Sequence, residues 1–265
     1  MKATFLRLAT AFLVWFVASI SQAIAASGYD LTDHWSDPQE PGWGIELVQQ
    51  RDVIFVGLFV HGNDGRPIWY TGALAFQGLE PQTHQITYRG DLYEARATWF
   101  GAVPFTLTSV RPVGTMSIVA PTMTTATLTY SVDGVTRSKA ILRYTFRWDD
   151  YDGAYSGVQS LIYSKCSNPA DDGTRTVAAG YTFSLSGTQM TVLATDSARS
   201  CTYAGPYRQD GRLGRIDANY SCSNGEVGAM ALEEMSVQRF AVMGKLFGAN
   251  NRGCHIEGSF AAVLQ

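Results

Sequence analysis

The sequence has little of what usually identifies an enzyme. Charged residues make up 16% of it, and it contains neither a Gly-x-Ser-x-Gly elbow nor two His residues four positions apart. Cysteine is absent before position 166, and none of the four cysteines belongs to a Cys-x-x-Cys pair. These absences exclude an elbow-type serine hydrolase, a helical zinc protease and a Cys-x-x-Cys zinc site. We predict no catalytic residue, no metal site and no cofactor.

The longest apolar run is confined to the N-terminus. Lys2 and Arg7 precede an apolar run over residues 11–20, and the small-residue site Ala23-Ile24-Ala25 follows it. This pattern predicts a signal peptide over residues 1–25, because the run is shorter than the roughly 20 residues that a membrane-spanning helix needs. We therefore expect an exported protein, periplasmic or extracellular, with no membrane span.

An excess of positive charge is also missing. Removing residues 1–25 leaves 18 basic and 23 acidic residues, a net charge of −5. Nucleic-acid binding usually needs a basic patch or stripe. We expect no nucleic-acid partner.

What remains is typical of an all-β protein. Short runs of Val, Ile, Thr, Tyr and Phe alternate with Gly, Asp, Asn and Pro, and helical periodicity is hard to find. After the signal, all five Trp precede position 150 and all four Cys follow it. We predict two small antiparallel β-barrel or sandwich units, a Trp-rich domain over residues 28–148 and a disulfide-containing domain over 154–265. The first unit's predicted strands are 43–50, 52–61, 66–76, 84–95, 113–119, 124–131 and 135–147, with an extra one around 103–110.

The second unit is predicted to be an up-and-down barrel of eight strands with short connections. An even number of cysteines in an exported chain indicates two disulfides. Pairing Cys201 with Cys222 across a hairpin also places two tyrosines opposite each other, so one register satisfies the bridge and the apolar face. The remaining bridge, Cys166 to Cys254, requires the first and last strands of this unit to meet.

Two segments of the first unit carry specific expectations. Residues 53–60 are apolar at successive positions, so both faces of that strand need cover. The second unit or another copy of the chain could supply it, which makes self-association through this strand an expectation.

Near Gly134 we predict a three-residue hairpin loop with Gly134 in the left-handed conformation. That register puts Ala140, Leu142, Tyr144 and Phe146 on the core side, and Arg137, Lys139 and Arg143 on the surface.

The aromatic cluster Trp35, Trp43, Trp69 and Tyr70 is the better functional candidate. Such side chains could stack on a glycan or a small apolar molecule, or they could fill the end of the barrel.

A second candidate is a hydrolase that uses Asp37, Glu40, His34 or His61. The same side chains are common in turn-rich loops, where they bond the backbone.

Several stretches of the sequence also resemble a family of exported bacterial proteins of unknown function. Its members carry WxxPxExGWG, a QxGDxIF-like strand and DGxPxWY; here these are WSDPQEPGWG at 35–44, QQRDVIF at 49–55 and DGRPIWY at 64–70. The likeness continues through YRGDLY at 88–93, PVGT at 112–115 and TLTYSVDG at 127–134, and QDGR at 209–212 and YSCS at 220–223 are similar to its Cys-bearing companion module. His34 stands where a second aromatic is common, and Arg51 where Gly is usual. The resemblance implies an exported β protein and assigns no activity.

Taken together, the residues favour an exported or envelope-associated binding protein without catalysis, whose ligand lies at the Trp-rich barrel end. A secreted hydrolase and a structural or assembly module are the alternatives.

Overall fold

The computed structural model describes residues 29–265, so the predicted signal peptide lies outside the described residues. These residues form two closed antiparallel barrels of eight strands each, which confirms the predicted all-β fold with an eight-stranded second unit. Within this range no helix is long and apolar enough to cross a membrane. The strands of barrel one are β1 Asp33–Ser36, β2 Gly44–Gln50, β3 Val53–His61, β4 Pro67–Leu79, β5 Ile86–Ala97, β6 Leu107–Ala120, β7 Thr125–Val132 and β8 Val135–Arg143. Those of barrel two are β9 Gly153–Ser164, β10 Gly173–Ser186, β11 Gln189–Asp196, β12 Ser200–Asp210, β13 Leu213–Cys222, β14 Val227–Gln238, β15 Ala241–Asn250 and β16 His255–Leu264, with a 3-10 helix, Pro169–Asp171, after β9.

Barrel one closes through a strand that the pattern did not predict. β1 is only four residues long, and its Trp35 pairs with Ile45 of β2 and with Arg143 of β8. Of the predicted extra strand around 103–110, only residues 107–110 are strand, and they are the first part of β6, which continues to Ala120. Residues 103–106 belong to the β5–β6 turn. Closure leaves the interior filled by alternate residues of successive strands, among them Trp35, Leu47, Leu58 and Leu92, which are fully buried.

In barrel two, β9 pairs with both β10 and β16, so its first and last strands meet. This closure brings Cys166 to Cys254, and the β12–β13 hairpin brings Cys201 to Cys222; both predicted disulfides are confirmed. All four cysteines lie at one end of barrel two, which we call the disulfide end.

The predicted hairpin register near Gly134 is wrong. Val132 pairs with Val135 across a two-residue turn, in which Asp133 and Gly134 have φ of 46° and 84°. Positive φ at both positions is the geometry that matches strand twist in two-residue hairpins. As a result Ala140, Leu142, Tyr144 and Phe146 face outward and are exposed.

The charged residues of β8 tolerate this register because two of them find partners at the ends of the barrel. Lys139 bonds to Glu40 and lies 5.5 Å from the centre of the Trp43 ring. Arg143 is not a surface residue: it is 5% exposed, bonds the carbonyls of Thr32 and Met123, and pairs with Asp33 at 3.1 Å. Lys139 and Arg143 were predicted to lie outside because that prediction was based only on the alternation of apolar residues in the hairpin.

The two barrels meet at a close backbone contact around the β12–β13 turn. Gly211 has φ of 61°, and a Cβ there would collide with Asp33 and Arg143. The Gly211 N–H donates to Thr145 Oγ1 at 2.9 Å, and the Arg212 N–H donates to Asp33 Oδ2 at 3.2 Å. Residues of the QDGR segment therefore form part of the junction between the barrels.

Arg51 occupies the β2–β3 turn with φ of 57°, the left-handed region that favours glycine. The hairpin pairing is intact here, with Gln50 opposite Val53. The side chain is exposed and has room outside the barrel.

Candidate functional site

A polar cleft opens at the disulfide end of barrel two. It has a volume of about 280 Å³. The loops that follow β9, β11, β13 and β15 surround it, and both disulfides connect strands next to these loops. Most of the residues that line it carry polar or charged side chains; the lining consists of Tyr163, Asp171, Gly173, Thr174, Arg175, Arg199, Asn224, Glu226, Asn250, Arg252 and Cys254.

A buried ion pair forms the floor of this cleft. Arg199 is 7% exposed and Glu226 4% exposed, and Nη1 of Arg199 donates to Oε2 of Glu226. Nη2 of Arg199 donates to the Tyr163 hydroxyl at 2.7 Å, and the Tyr220 hydroxyl donates to Oε1 of Glu226 at 3.0 Å. Burial opposes the charge of Arg199, but its bond to Tyr163 and the attraction of Glu226 raise the pKa of the guanidinium. Arg199 is therefore charged at neutral pH.

Asp196 gives the Arg199 loop its shape. Its Oδ1 accepts the backbone N–H groups of Ala198 at 2.7 Å and Arg199 at 3.1 Å, so one carboxylate holds the tight β11–β12 connection. Both oxygens of Asp196 also accept from Nη2 of Arg175 at 2.8 Å. The Arg175 side chain lines the cleft and is held in place by its bonds to Asp196.

Below the ion pair the barrel interior is rich in tyrosine. Tyr203 and Tyr220 stack with ring centres 5.3 Å apart, and the Tyr181 hydroxyl donates to Gln159 at 3.3 Å. Burial raises the pKa of Tyr203 to about 12, and burial with the nearby Glu226 also raises the pKa of Tyr220. These hydroxyls are neutral hydrogen-bond donors at physiological pH.

The predicted aromatic cluster does not share one surface. Trp35 is fully buried, its indole N–H donates to the Leu31 carbonyl at 2.9 Å, and the Arg143 guanidinium lies 4.9 Å from its ring centre. Tyr70 is 9% exposed in the core, whereas its neighbour Trp69 points outward and is 53% exposed. Trp43 is half-buried, and its indole N–H is buried without a hydrogen-bond partner among the described residues.

Most of the predicted hydrolase residues are engaged in hydrogen bonds or ion pairs. Asp37 accepts the Gln39 N–H at 2.9 Å, and Glu40 pairs with Lys139. His34 lies 3.3 Å from Glu46, while His61 is exposed at the end of β3. Within residues 29–265, no group of three His, Cys, Asp or Glu residues is placed to hold a metal ion.

Arg199 and Glu226 were missed by the interpretation of the sequence, although one signal was present. Cys201 and Tyr203 face the core. Side chains two residues apart on a strand point to the same face, so Arg199, two residues before Cys201, is expected to point inward as well. A charged residue at an inward position indicates a buried partner, but nothing near Arg199 in the sequence identifies Glu226 as that partner.

No protein-family model matches this chain, and no curated protein matches it. Among solved structures it is similar to a protein of unknown function from the DUF3598 family of Nostoc punctiforme. The two are 8% identical, with 88% of this chain and 96% of the other covered, at a TM-score of 0.28. A likeness of this size carries no argument about fold or function.

Proposed function

We propose that this protein is an exported binding protein without catalysis, and that it holds a small polar ligand in the cleft at the disulfide end of barrel two. The observation that carries the proposal is the Arg199–Glu226 pair, which is buried beneath an open polar cleft rather than packed inside the core. Burying two charges is costly, and hydrophobic residues of similar volume often stabilise a fold as well or better. A binding role explains why charges stand at this position.

Binding fits the chemistry of the cleft better than catalysis does. Each oxygen of Glu226 already accepts a hydrogen bond, one from Tyr220 and one from Arg199. These bonds fix the orientation of the Glu226 carboxylate, and the tyrosine hydroxyls around it are neutral donors.

The rim of the cleft indicates the ligand class. Arg252 is exposed there, and its guanidinium makes no hydrogen bond to any residue of the described range. Arg175 uses only Nη2 in its bonds to Asp196. Guanidinium groups bind carboxylates through paired N–H donors. We propose a small molecule that carries a carboxylate, since the cleft is near the lower limit of roughly 300 Å³ for ligand pockets.

Calorimetric titration of residues 26–265 with amino acids, sugar acids and neutral sugars tests this proposal. We expect Arg252→Ala to weaken the carboxylate ligand about tenfold or more, because a charge-assisted hydrogen bond is lost. Arg208→Ala is the matched control: this arginine is 59% exposed in the same barrel, pairs loosely with Asp217 at 3.9 Å and does not line the cleft.

Two outcomes would contradict the proposal. One is equal affinity of the Arg252→Ala variant and the unchanged protein. The other is a ligand, such as an oligosaccharide, whose binding is lost in Trp43→Ala and kept in Arg252→Ala, because that result would return the site to the Trp-rich end of barrel one.

Export is supported by the two disulfides, since such bonds persist in oxidising compartments and are rare in the cytosol. This support adds to the signal-peptide pattern at residues 1–25.

We also propose self-association through the outward face of β3. Ile54, Val56 and Leu58 are buried, whereas Phe55 and Phe59 are 51% and 49% exposed, so the second barrel leaves this face uncovered. Phe59 also pairs with the exposed Trp69 of β4. We expect light scattering to show a dimer, and we expect Phe59→Ser to dissociate it. Phe240→Ser, which replaces an exposed aromatic of barrel two, should leave the dimer intact. A protein that is monomeric at every concentration would refute this proposal.

A further inference from the structure

The β5–β6 hairpin extends beyond the wall of barrel one. The pairing of β5 with β4 ends at Tyr93 opposite Thr71, and that of β6 with β7 ends at Gly114 opposite Val132. The two strands nevertheless continue to pair with each other as far as Ala97 opposite Leu107. Residues 94–111 therefore form a two-stranded ribbon without a third strand on either side.

The end of this ribbon is apolar and open to solvent. We call residues 97–107 the ribbon tip. Its large side chains are among the most exposed apolar groups of the described chain: Trp99 is 70% exposed, Phe100 86%, Val103 96%, Phe105 63% and Leu107 58%. From Ala97 to Val110 there is no charged residue. Soluble proteins rarely leave such a contiguous apolar group in water, and those that do use it for interaction.

We infer that the ribbon tip inserts into the interfacial region of a lipid bilayer. This inference goes beyond the proposed binding function and does not depend on it. No residue of the ribbon tip is buried, and the consecutive residues Trp99 and Phe100 are both exposed, so the tip has no covered face. A flat protein surface could cover only one face, whereas lipid surrounds an inserted group. Trp and Phe are also the side chains that favour the interface.

The backbone of the tip is partly paired within the ribbon. The Thr98 N–H donates to the Thr106 carbonyl at 2.9 Å, and the Ala102 N–H donates to the Trp99 carbonyl at 2.8 Å. The Thr106 N–H donates to Thr98 Oγ1 at 3.0 Å. Backbone groups left unpaired in lipid are costly. Apart from that of Ala102, the N–H groups from Trp99 to Phe105 have no partner within the described residues, so we expect the tip to enter the interfacial region, where headgroups and water can pair with them, and not the hydrocarbon core.

The position of the tip allows such contact. The hairpin turns that follow β3, β5 and β7 lie at one end of barrel one, while β8 leads from that end to the junction with barrel two. The ribbon therefore projects away from barrel two, which cannot block its approach to a surface.

The charges at the ribbon's base balance one another. Arg111 bonds to both Glu94 and Asp133, and Arg96 bonds to Glu94 at 3.0 Å. Two basic and two acidic side chains leave no net attraction to an anionic surface. We therefore expect insertion to be driven by apolar burial, with little dependence on salt or on anionic lipid.

Sedimentation of residues 26–265 with phosphatidylcholine vesicles, with and without added phosphatidylglycerol, tests the inference. We expect binding to both kinds of vesicle at low and high salt, and a fall of about tenfold or more in Phe100→Asp and in Val103→Asp, because each loses apolar burial and gains a charge. Phe240→Asp is the matched control, since Phe240 is 62% exposed in a turn of barrel two. Circular dichroism verifies that each variant is folded.

Quenching by brominated lipid measures insertion directly. The bound protein should lose fluorescence, and Trp99→Phe should bind equally while most of the quenching disappears. Three results would overturn the inference: no sedimentation of the unchanged protein, equal sedimentation of the Asp variants, or quenching that is unchanged in Trp99→Phe. Failure of sedimentation would leave the tip as a contact for a protein partner.

Discussion

Replacing Arg199 with Met should destabilise barrel two by about 3–5 kcal/mol, because it leaves the Glu226 carboxylate buried without its positive partner. Both side chains are 5% exposed, so water cannot take over the role of the guanidinium. Tyr220 still donates to Glu226, but one neutral hydrogen bond does not compensate a buried charge. Urea unfolding followed by circular dichroism measures the loss.

The double variant Arg199→Met with Glu226→Leu separates the ion pair from general damage to packing. We expect it to recover most of the lost stability, since apolar residues of similar volume can replace a buried pair. Arg208→Met should change stability by at most about 1 kcal/mol, as expected for an exposed pair. A double variant as unstable as Arg199→Met alone would mean that the two side chains are not energetically coupled.

Loss of the Cys166–Cys254 bridge should have an effect of similar size. In the chain-entropy description, a bridge between residues 88 apart stabilises by about 4–5 kcal/mol, and one between residues 21 apart by about 3 kcal/mol. Cys166→Ala with Cys254→Ala should therefore lower the free energy of unfolding more than Cys201→Ala with Cys222→Ala. Unfolding in urea under oxidising conditions compares the two double variants directly.

The long-range bridge also holds the cleft. It joins the β9–β10 loop to the β15–β16 turn, where the Ser167 N–H donates to the Arg252 carbonyl at 3.0 Å. We expect its removal to weaken ligand binding as well as stability, whereas loss of the hairpin bridge should affect stability more than affinity. The opposite order of stability would contradict the loop-length argument.

Thiol labelling of the protein recovered from its native compartment tests export, because free thiols at all four positions would indicate a reducing environment.

In barrel one, closure and turn geometry override the local apolar pattern. A three-residue loop near Gly134 satisfied the apolar alternation of β7 and β8, but the chain adopts a two-residue turn with positive φ at Asp133 and Gly134. Placing Lys139 and Arg143 on the inner side is unfavourable unless they have partners. Lys139 pairs with Glu40 at one end of the barrel, and Arg143 pairs with Asp33 and backbone carbonyls at the other. Glu40 lies 99 positions from Lys139, and Asp33 lies 110 positions from Arg143.

The sequence by itself determined the features that depend on near neighbours. Alternation of apolar residues identified most strands, and the Asp-Gly, Ser-Gly and Asn-Gly turns separated them. Cys201 could be paired with Cys222 because a single hairpin register served both the bridge and the facing tyrosines, and the structure has that register.

Only the tertiary structure decided which residues meet across the barrels. Closure through β1 buried Trp35 and left Trp69 outside, and four separate loops of barrel two assembled the cleft around Arg199 and Glu226. The reason is physical: strand period and turn type are local properties, whereas barrel closure and a charge's partner depend on contacts between distant segments. The same reason explains the ribbon tip, whose exposure follows from where its neighbours β4 and β7 stop pairing with it.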